Sequence, residues 1–326
     1  MHRKLLSAAL AATMTLTLAA CGSAQDDAQS AENPDAYIVG ICEQMEHVSL
    51  SEATRGFKDA LTEALGADNV TFREQNAGGE QTNCTTIING FVSEGVDLIL
   101  ANATWPLQAA QSATADIPVL GTSVTDYGTA LGIEDFSGTV GDNISGTSDL
   151  VDLEAQAKIV QELFPDAENV GLLYCSGEPN SVYQIETVRE SLEAMGYTCE
   201  VYAFTDVNDL ASVTQAACDA SDVIYIPTDN TVASNTESVA NVALAAGVPI
   251  VGGDPGICSG CGVATIATDY YELGRLTGEM AAKILTGEAD ISTMPIAYAE
   301  NFTPKFNTVI GEALGVAMPE GYTAIE

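Results

Sequence analysis

Residues 37 to about 126 and residues 169 to about 255 carry the same order of elements, and that repetition narrows the folds open to this chain more than anything else in it. Each stretch opens with a short apolar strand, Tyr37–Cys42 or Val170–Tyr174, that runs into a polar loop. An amphipathic helix, a strand and a second helix follow, then a buried strand (Val96–Ala101, Val223–Ile226), a third helix, and a last strand at a proline (Ile117–Gly121, Val248–Gly252). Strands alternating with helices of this length predict βαβ units and parallel sheets. Two such halves of roughly a hundred residues predict two similar domains rather than one large one. Ligands of open α/β sheets sit beyond the carboxyl ends of the strands. Two such edges facing each other make a cleft, so the chain reads first as a clamp.

Met1–Ala20 reads as a targeting leader: His2, Arg3 and Lys4 give a positive start, and Leu5–Leu18 is a short core of apolar and small residues. Leu18-Ala19-Ala20-Cys21 then matches a bacterial lipobox, in which Cys21 is acylated and becomes the first residue. Gly22–Ala36 is small, polar and acidic, a flexible tether. No later apolar run approaches the ~18 residues needed to cross a bilayer. The expected location is therefore the outer face of the cell membrane, on a lipid anchor. The formal net charge is −36, from 10 Lys and Arg against 46 Asp and Glu. A field of this sign repels phosphate backbones and anionic lipid, which argues against nucleic-acid binding. Its simplest meaning is a surface adapted for solubility, and it says little about a ligand.

Seven cysteines remain after Cys21: Cys42, Cys84, Cys175, Cys199, Cys218, Cys258 and Cys261. An exported compartment permits disulfides. Cys258 and Cys261 sit in a Gly-rich stretch read as a loop between strands, which favours a local structural bridge over a redox pair. Cys42 with Cys84, and Cys199 with Cys218, lie at matching sheet edges and are further expected pairs, leaving Cys175 free.

Catalysis has little to work with. Beyond the leader, His47 is the one histidine, and no HExxH, Gly-x-Ser-x-Gly, P-loop or GxGxxG pattern occurs. Neither an enzyme nor a cofactor or metal site is expected. The loops after equivalent strands carry the information: Glu43–Ser49, Asn102–Pro106 and Thr122–Asp126 in the first half, and Ser176–Ser181, Thr228–Thr231 and Asp254–Pro255 in the second. They are rich in Ser, Thr, Asn and Asp, and several start helices, where N–H groups and hydroxyls hold a carboxylate without Arg. Asp229 stands out because a carboxylate in a closing cleft needs a cation or several donors, and a ligand ammonium is one such cation. The alternative is that Asp229 caps a helix beginning near Thr231. Trp105 and Tyr127 lie in cleft loops and are candidates to stack on an aromatic ligand, against the alternative of surface aromatics.

Four motifs then resemble a known family: Ile226–Val232 (IPTDNTV), Asp269–Arg275 (DYYELGR), Gly177–Ser181 (GEPNS) and Asn143–Asp149 (NISGTSD), with Thr125-Asp126 and Ala53–Leu61 in support. The chain is similar over roughly residues 37–318 to the tryptophan/tyrosine-type substrate-binding proteins of ABC importers. The resemblance implies a type I periplasmic-binding-protein fold of the α/β class: two Rossmann-like, doubly wound parallel-sheet lobes joined by a three-crossover hinge. The lobes would be residues 37–146 plus about 270–290, and 147–269 plus about 291–326. It implies a monomer that holds an aromatic amino acid between its lobes and delivers it to a membrane permease. By motif position, Asp229 and Asn230 would contact an amine or amide, Glu178, Asn180 and Ser181 would line the second lobe, and Thr104, Ser123 and Thr125 the first, with Glu46 and Trp105 at the same edge. The chain departs from the family pattern at Trp105 and in a shortened segment after Asp126. The same clamp around a nucleoside, sugar or modified peptide, or serving a sensor instead of an importer, is the other reading the residues permit.

Overall fold

The computed structural model describes residues 33, 35–299 and 302–325. The leader, the acylation site expected at Cys21 and most of the tether lie outside the described residues.

From the amino end the chain runs through β1 (Tyr37–Glu43), α1 (Val48–Leu65), β2 (Val70–Asn76), α2 (Gln81–Glu94), β3 (Leu98–Asn102), α3 (Thr104–Ala113), β4 (Val119–Val124), a short α4 (Tyr127–Leu131) and β5 (Ile144–Ser148). It then crosses into α5 (Leu153–Leu163), β6 (Asn169–Cys175), α6 (Pro179–Ala194), β7 (Thr198–Phe204), α7 (Leu210–Ala220), β8 (Val223–Ile226), α8 (Asn230–Ala233), α9 (Thr236–Ala246), β9 (Ile250–Gly252), α10 (Pro255–Gly260) and β10 (Ala264–Ala267). It returns with α11 (Tyr270–Leu285) and β11 (Ala297–Tyr298), and ends in β12 (Thr303–Asn307), α12 (Thr308–Leu314) and β13 (Thr323–Ile325).

Two sheets result, ordered β11-β5-β4-β3-β1-β2 and β13-β12-β10-β9-β8-β6-β7. The first is parallel throughout. In the second, β12 runs antiparallel to β10. The reason is topological: β10 leaves its sheet toward the hinge, and β12 re-enters from the hinge, so the two must point in opposite directions. Helices cover both faces of each sheet. That is why β3 (LILAN) and β8 (VIYI) are buried along their whole length rather than alternating.

Three segments join the lobes: β5 to α5, β10 to α11, and β11 to β12. The lobe limits differ from the sequence expectation in two places. Strand β5 pairs with β4 through Ser148, so the first lobe extends beyond residue 146. Strand β11 adds to β5, so the returning chain stays with the first lobe through Tyr298 instead of leaving near 290. Helix α11 docks on α1 at a separation only glycine permits: a Cβ at Gly274 would lie 2.0 Å from the Ala53 carbonyl oxygen, and one at Gly56 2.0 Å from that of Tyr271. The third helix expected in the second half is two, α8 and α9, broken at Ser234 and Asn235.

Candidate functional site

The carboxyl ends of both sheets face one seam. Three loops leaving β4, β8 and β9 begin a helix with an aspartate whose carboxylate accepts a backbone N–H: Asp126 from Thr129, Asp229 from Val232, and Asp254 from Ile257. Two of the four described non-glycine residues with left-handed φ also sit at these ends, Ala103 (φ 89°) after β3 and Ser123 (φ 55°) in β4. Such strain persists only where the surroundings hold it, and it concentrates at functional sites.

Polar contacts tie the lobes together at the seam. Four residues of the first lobe, Glu46 to Ser49, supply most of them. The Ser234 hydroxyl donates to the Glu46 carbonyl oxygen at 3.0 Å, His47 Nε2 meets Asn230 Oδ1 at 3.1 Å, and the Ser49 hydroxyl donates to Asp254 Oδ2. Deeper in, Gln184 Nε2 reaches Thr125 Oγ1 at 3.5 Å. A groove of about 320 Å³ opens beside the hinge between Ser49 and Glu52 on one side, Pro255 and Ser259 on the other, with Tyr270 and Tyr271 along it.

Four carboxylates at this seam are buried: Asp149, Glu178, Asp229 and Asp254. No described Lys or Arg is buried. Glu178 accepts from the backbone and side chain of both Asn230 and Thr231, and from Asn180 Nδ2. Asp229 accepts from the Cys175 backbone N–H at 2.7 Å, the Ser181 hydroxyl at 2.8 Å and the Val232 N–H at 2.9 Å. Burial, reinforced by the neighbouring Glu178, pushes the Asp229 carboxyl up to about 7. These two residues weld the start of α6 to the start of α8. Asp149, at the end of β5, accepts from the Tyr270 hydroxyl at 2.8 Å, and burial pushes its carboxyl up to about 6. Several other buried polar atoms have no hydrogen-bond partner among the described residues: Gln44 Nε2, His47 Nδ1, Ser123 Oγ, Asn180 Oδ1 and Asp149 Oδ1. All belong to the seam loops or the hinge.

Several site expectations change. Asp229 is the cap of α8 with three donors of its own, not a bare counter-charge, because the N-terminus of α8 and the end of β6 converge on it. Glu178 likewise is engaged by donors of its own lobe. Glu46 is exposed at the rim and contributes its carbonyl, not its carboxylate. Trp105 packs on the first lobe's core and lines a groove between α2 and α3 with Thr85 and Gln108, away from the opposite lobe. Tyr127 is 1% exposed and fills the space over Gly121 and Gly146, its hydroxyl bonded to the Thr147 carbonyl oxygen. It is core, not a stacking platform. Thr104, Ser123, Thr125, Asn180, Ser181 and Asn230 do gather at the seam, all buried.

The expected disulfides are absent: all seven described cysteines are free thiols. Cys42 and Cys84 are nonetheless in contact, and their mutual hydrogen bond, followed by burial, holds the Cys42 thiol far above its ordinary value. Cys258 and Cys261 lie not in a loop but in and just after α10, because Asp254 and Pro255 start a helix there.

Gln44, Asp149, Tyr270 and Gln184 also lie at the seam or the hinge, and none stands out individually as a site residue in the sequence. Tyr270 and Asp149 each lie in a motif that carried the resemblance, which was the available signal. Gln44 and Gln184 had none, since a buried amide cannot be told from an exposed one by its neighbours in sequence.

Comparison with known proteins agrees with this architecture. The sequence matches the family described as ABC transporter substrate binding protein over residues 38–324. A tyrosine-binding protein of Clostridioides difficile is 30% identical over 303 residues, 90% of this chain and 87% of that one. An ABC domain from Streptococcus pneumoniae in complex with L-Trp superposes with a TM-score of 0.84 at 28% identity, over 89% of this chain and 99% of that one. The ligand-free, open structure of a substrate-binding protein with adhesive properties from Clostridium difficile covers the same shares at 32% identity, yet its TM-score is 0.68. The more similar sequence is thus the less similar shape. The chain belongs to the ABC transporter substrate-binding protein family, with the type I periplasmic-binding-protein fold.

Proposed function

We propose that this protein captures an aromatic amino acid, tryptophan, tyrosine or phenylalanine, between its two lobes and presents it to a membrane permease for import. The observation that carries this reading is the charge pattern of the seam: no described Lys or Arg is buried, and of the four buried carboxylates three are held by protein donors on both oxygens while Asp149 is held on one. Buried negative charge without a protein cation selects a ligand that brings a cation. The same seam offers donors without partners, Gln44 Nε2 and the Ser123 hydroxyl, which suit a ligand carboxylate in the absence of arginine. A zwitterion satisfies both. The ligands of the relatives, tyrosine and L-Trp, supply the aromatic side chain.

In this reading Thr104, Ser123 and Thr125 form one wall of the seat and Asn180, Ser181 and Asn230 the other, with Glu178 and Asp229 holding the second wall in place. The ligand adds contacts to both lobes at once and so favours the closed pair over the open one. Acylation at Cys21 would keep a monomer at the outer membrane face, within reach of the permease. Titration calorimetry of the purified protein with L-Trp, L-Tyr and L-Phe tests the reading, with a nucleoside and a hexose as comparisons. Binding at micromolar or lower concentration by at least one of the three is the expected result. No heat and no thermal shift with any of them rejects it.

A further inference from the structure

We propose that Asp149, at the hinge, is the residue that receives the ligand's ammonium group, through its Oδ1 oxygen. The assignment rests on the amino-acid reading above and follows from an accounting of every buried carboxylate oxygen at the seam. Glu178 has donors on both oxygens. So has Asp229, from Cys175 and Ser181 on one and Val232 on the other. Asp254 is held by the Ile257 N–H on one oxygen and the Ser49 hydroxyl on the other. Asp149 has one oxygen bonded to the Tyr270 hydroxyl and one, Oδ1, that meets no donor in hydrogen-bond geometry, with the Thr125 hydroxyl near enough to lower the carboxyl's proton affinity, in a residue only 4% exposed.

The position suits the role. Asp149 follows β5 directly, and its backbone N–H reaches the Val124 carbonyl oxygen, which puts it beside Ser123 and Thr125 at the first lobe's carboxyl edge. Asp254 of the second lobe is close enough to raise its proton affinity, so the two negative groups share one cation-poor region. Described Lys and Arg side chains pair with more exposed acids such as Asp59, Glu63, Glu74, Glu94, Glu154 and Glu193. Tyr270 opens α11, the second crossing between lobes, so the oxygen opposite the ligand ties two of the three hinge segments together. An ammonium on Asp149 would therefore be read where the lobes turn. This makes Asp149 a specificity residue: it separates amino acids from aromatic acids of the same shape that lack the amine.

The test compares L-Trp with indole-3-propionate, and L-Tyr with 3-(4-hydroxyphenyl)propionate, by calorimetry on the wild-type protein and on Asp149→Asn. Wild type should prefer each amino acid over its desamino analogue by at least ~100-fold, since removing one partner of a buried charge pair leaves the other uncompensated. Asp149→Asn keeps the shape and an acceptor for Tyr270; circular dichroism and its melting curve report that it folds. It should lose at least ~100-fold in amino-acid affinity, and its preference over the analogue should fall below about fivefold. Wild-type protein that binds an amino acid and its desamino analogue equally overturns the assignment without any variant. So does a folded Asp149→Asn that retains wild-type affinity or preference. Wild-type protein that binds none of the aromatic amino acids overturns the broader reading, and this assignment with it.

Discussion

A carboxylate that accepts three hydrogen bonds in a buried site is a structural joint, and Asp229 is that joint in the second lobe. It caps α8, orients the end of β6 through the Cys175 N–H, and holds the Ser181 hydroxyl at the start of α6. Replacing it with alanine removes a cap and strands two buried donors. Asp229→Ala should lower stability by about 3 kcal/mol in urea denaturation, since a lost cap costs ~1 and each stranded donor at least ~1. A loss below ~1 kcal/mol would contradict this account. The aspartate was visible in the sequence as the most conspicuous acid of the seam. Its duty was not, because capping and ligand binding require the same residue type at the same kind of loop, and only the positions of Val232, Cys175 and Ser181 separate them.

At the scale of elements, the packing of α11 on α1 fixes where the returning chain meets the first lobe, and so the geometry of the hinge beyond it. Gly274 stands against the Ala53 carbonyl, with the Ala53 backbone within 2.9 Å of where a Cβ would be. Gly274→Ala should therefore destabilise by about 2 kcal/mol or more, overpacking outweighing the ~1 kcal/mol that alanine gains in a helix. Gly90→Ala, on α2, is the control, because a Cβ there meets nothing within 4 Å. It should be neutral or stabilising by up to ~1 kcal/mol in the same denaturation assay. If both substitutions behave alike, close approach is not what these glycines provide. The start of α11 is legible in the sequence as Asp269 followed three residues later by Glu272, and the Glu272 N–H does donate to Asp269. Helix α10 was not legible: six residues with two glycines carry too little periodicity, and the Asp254 cap shows only once Ile257 is placed.

For the whole molecule, net charge and buried acids act on stability in the same direction. Glu43 is pushed up to about 7 by burial, Asp229 to about 7 and Asp149 to about 6. Each binds its proton more tightly folded than unfolded, where a carboxyl titrates near ~4. Their contribution is therefore full below about pH 4 and is lost as pH rises through 6 to 7. The melting temperature should be higher at pH 5 than at pH 8 by roughly 5 °C, measured in ~0.3 M salt to screen the surface charge. Asp149→Asn should flatten part of that slope. Below about pH 4 the trend should reverse, as Glu63, held below its ordinary value by Arg275, loses that pairing. A melting temperature that is flat or falling from pH 8 to pH 5 would refute the role given to these acids.

The order of elements, the doubling into two lobes and the gathering of Ser, Thr, Asn and Asp at the strand ends were determined by the sequence alone. Period, punctuation and residue type are local properties, and they survive without any knowledge of what lies across the seam. Which acids are already satisfied, which oxygen is left over at Asp149, and the turning of Trp105 and Tyr127 away from the cleft were decided only in three dimensions. Each of these depends on donors and atoms that arrive from distant parts of the chain: Tyr270 for Asp149, Cys175 for Asp229, Gly121 and Gly146 for Tyr127.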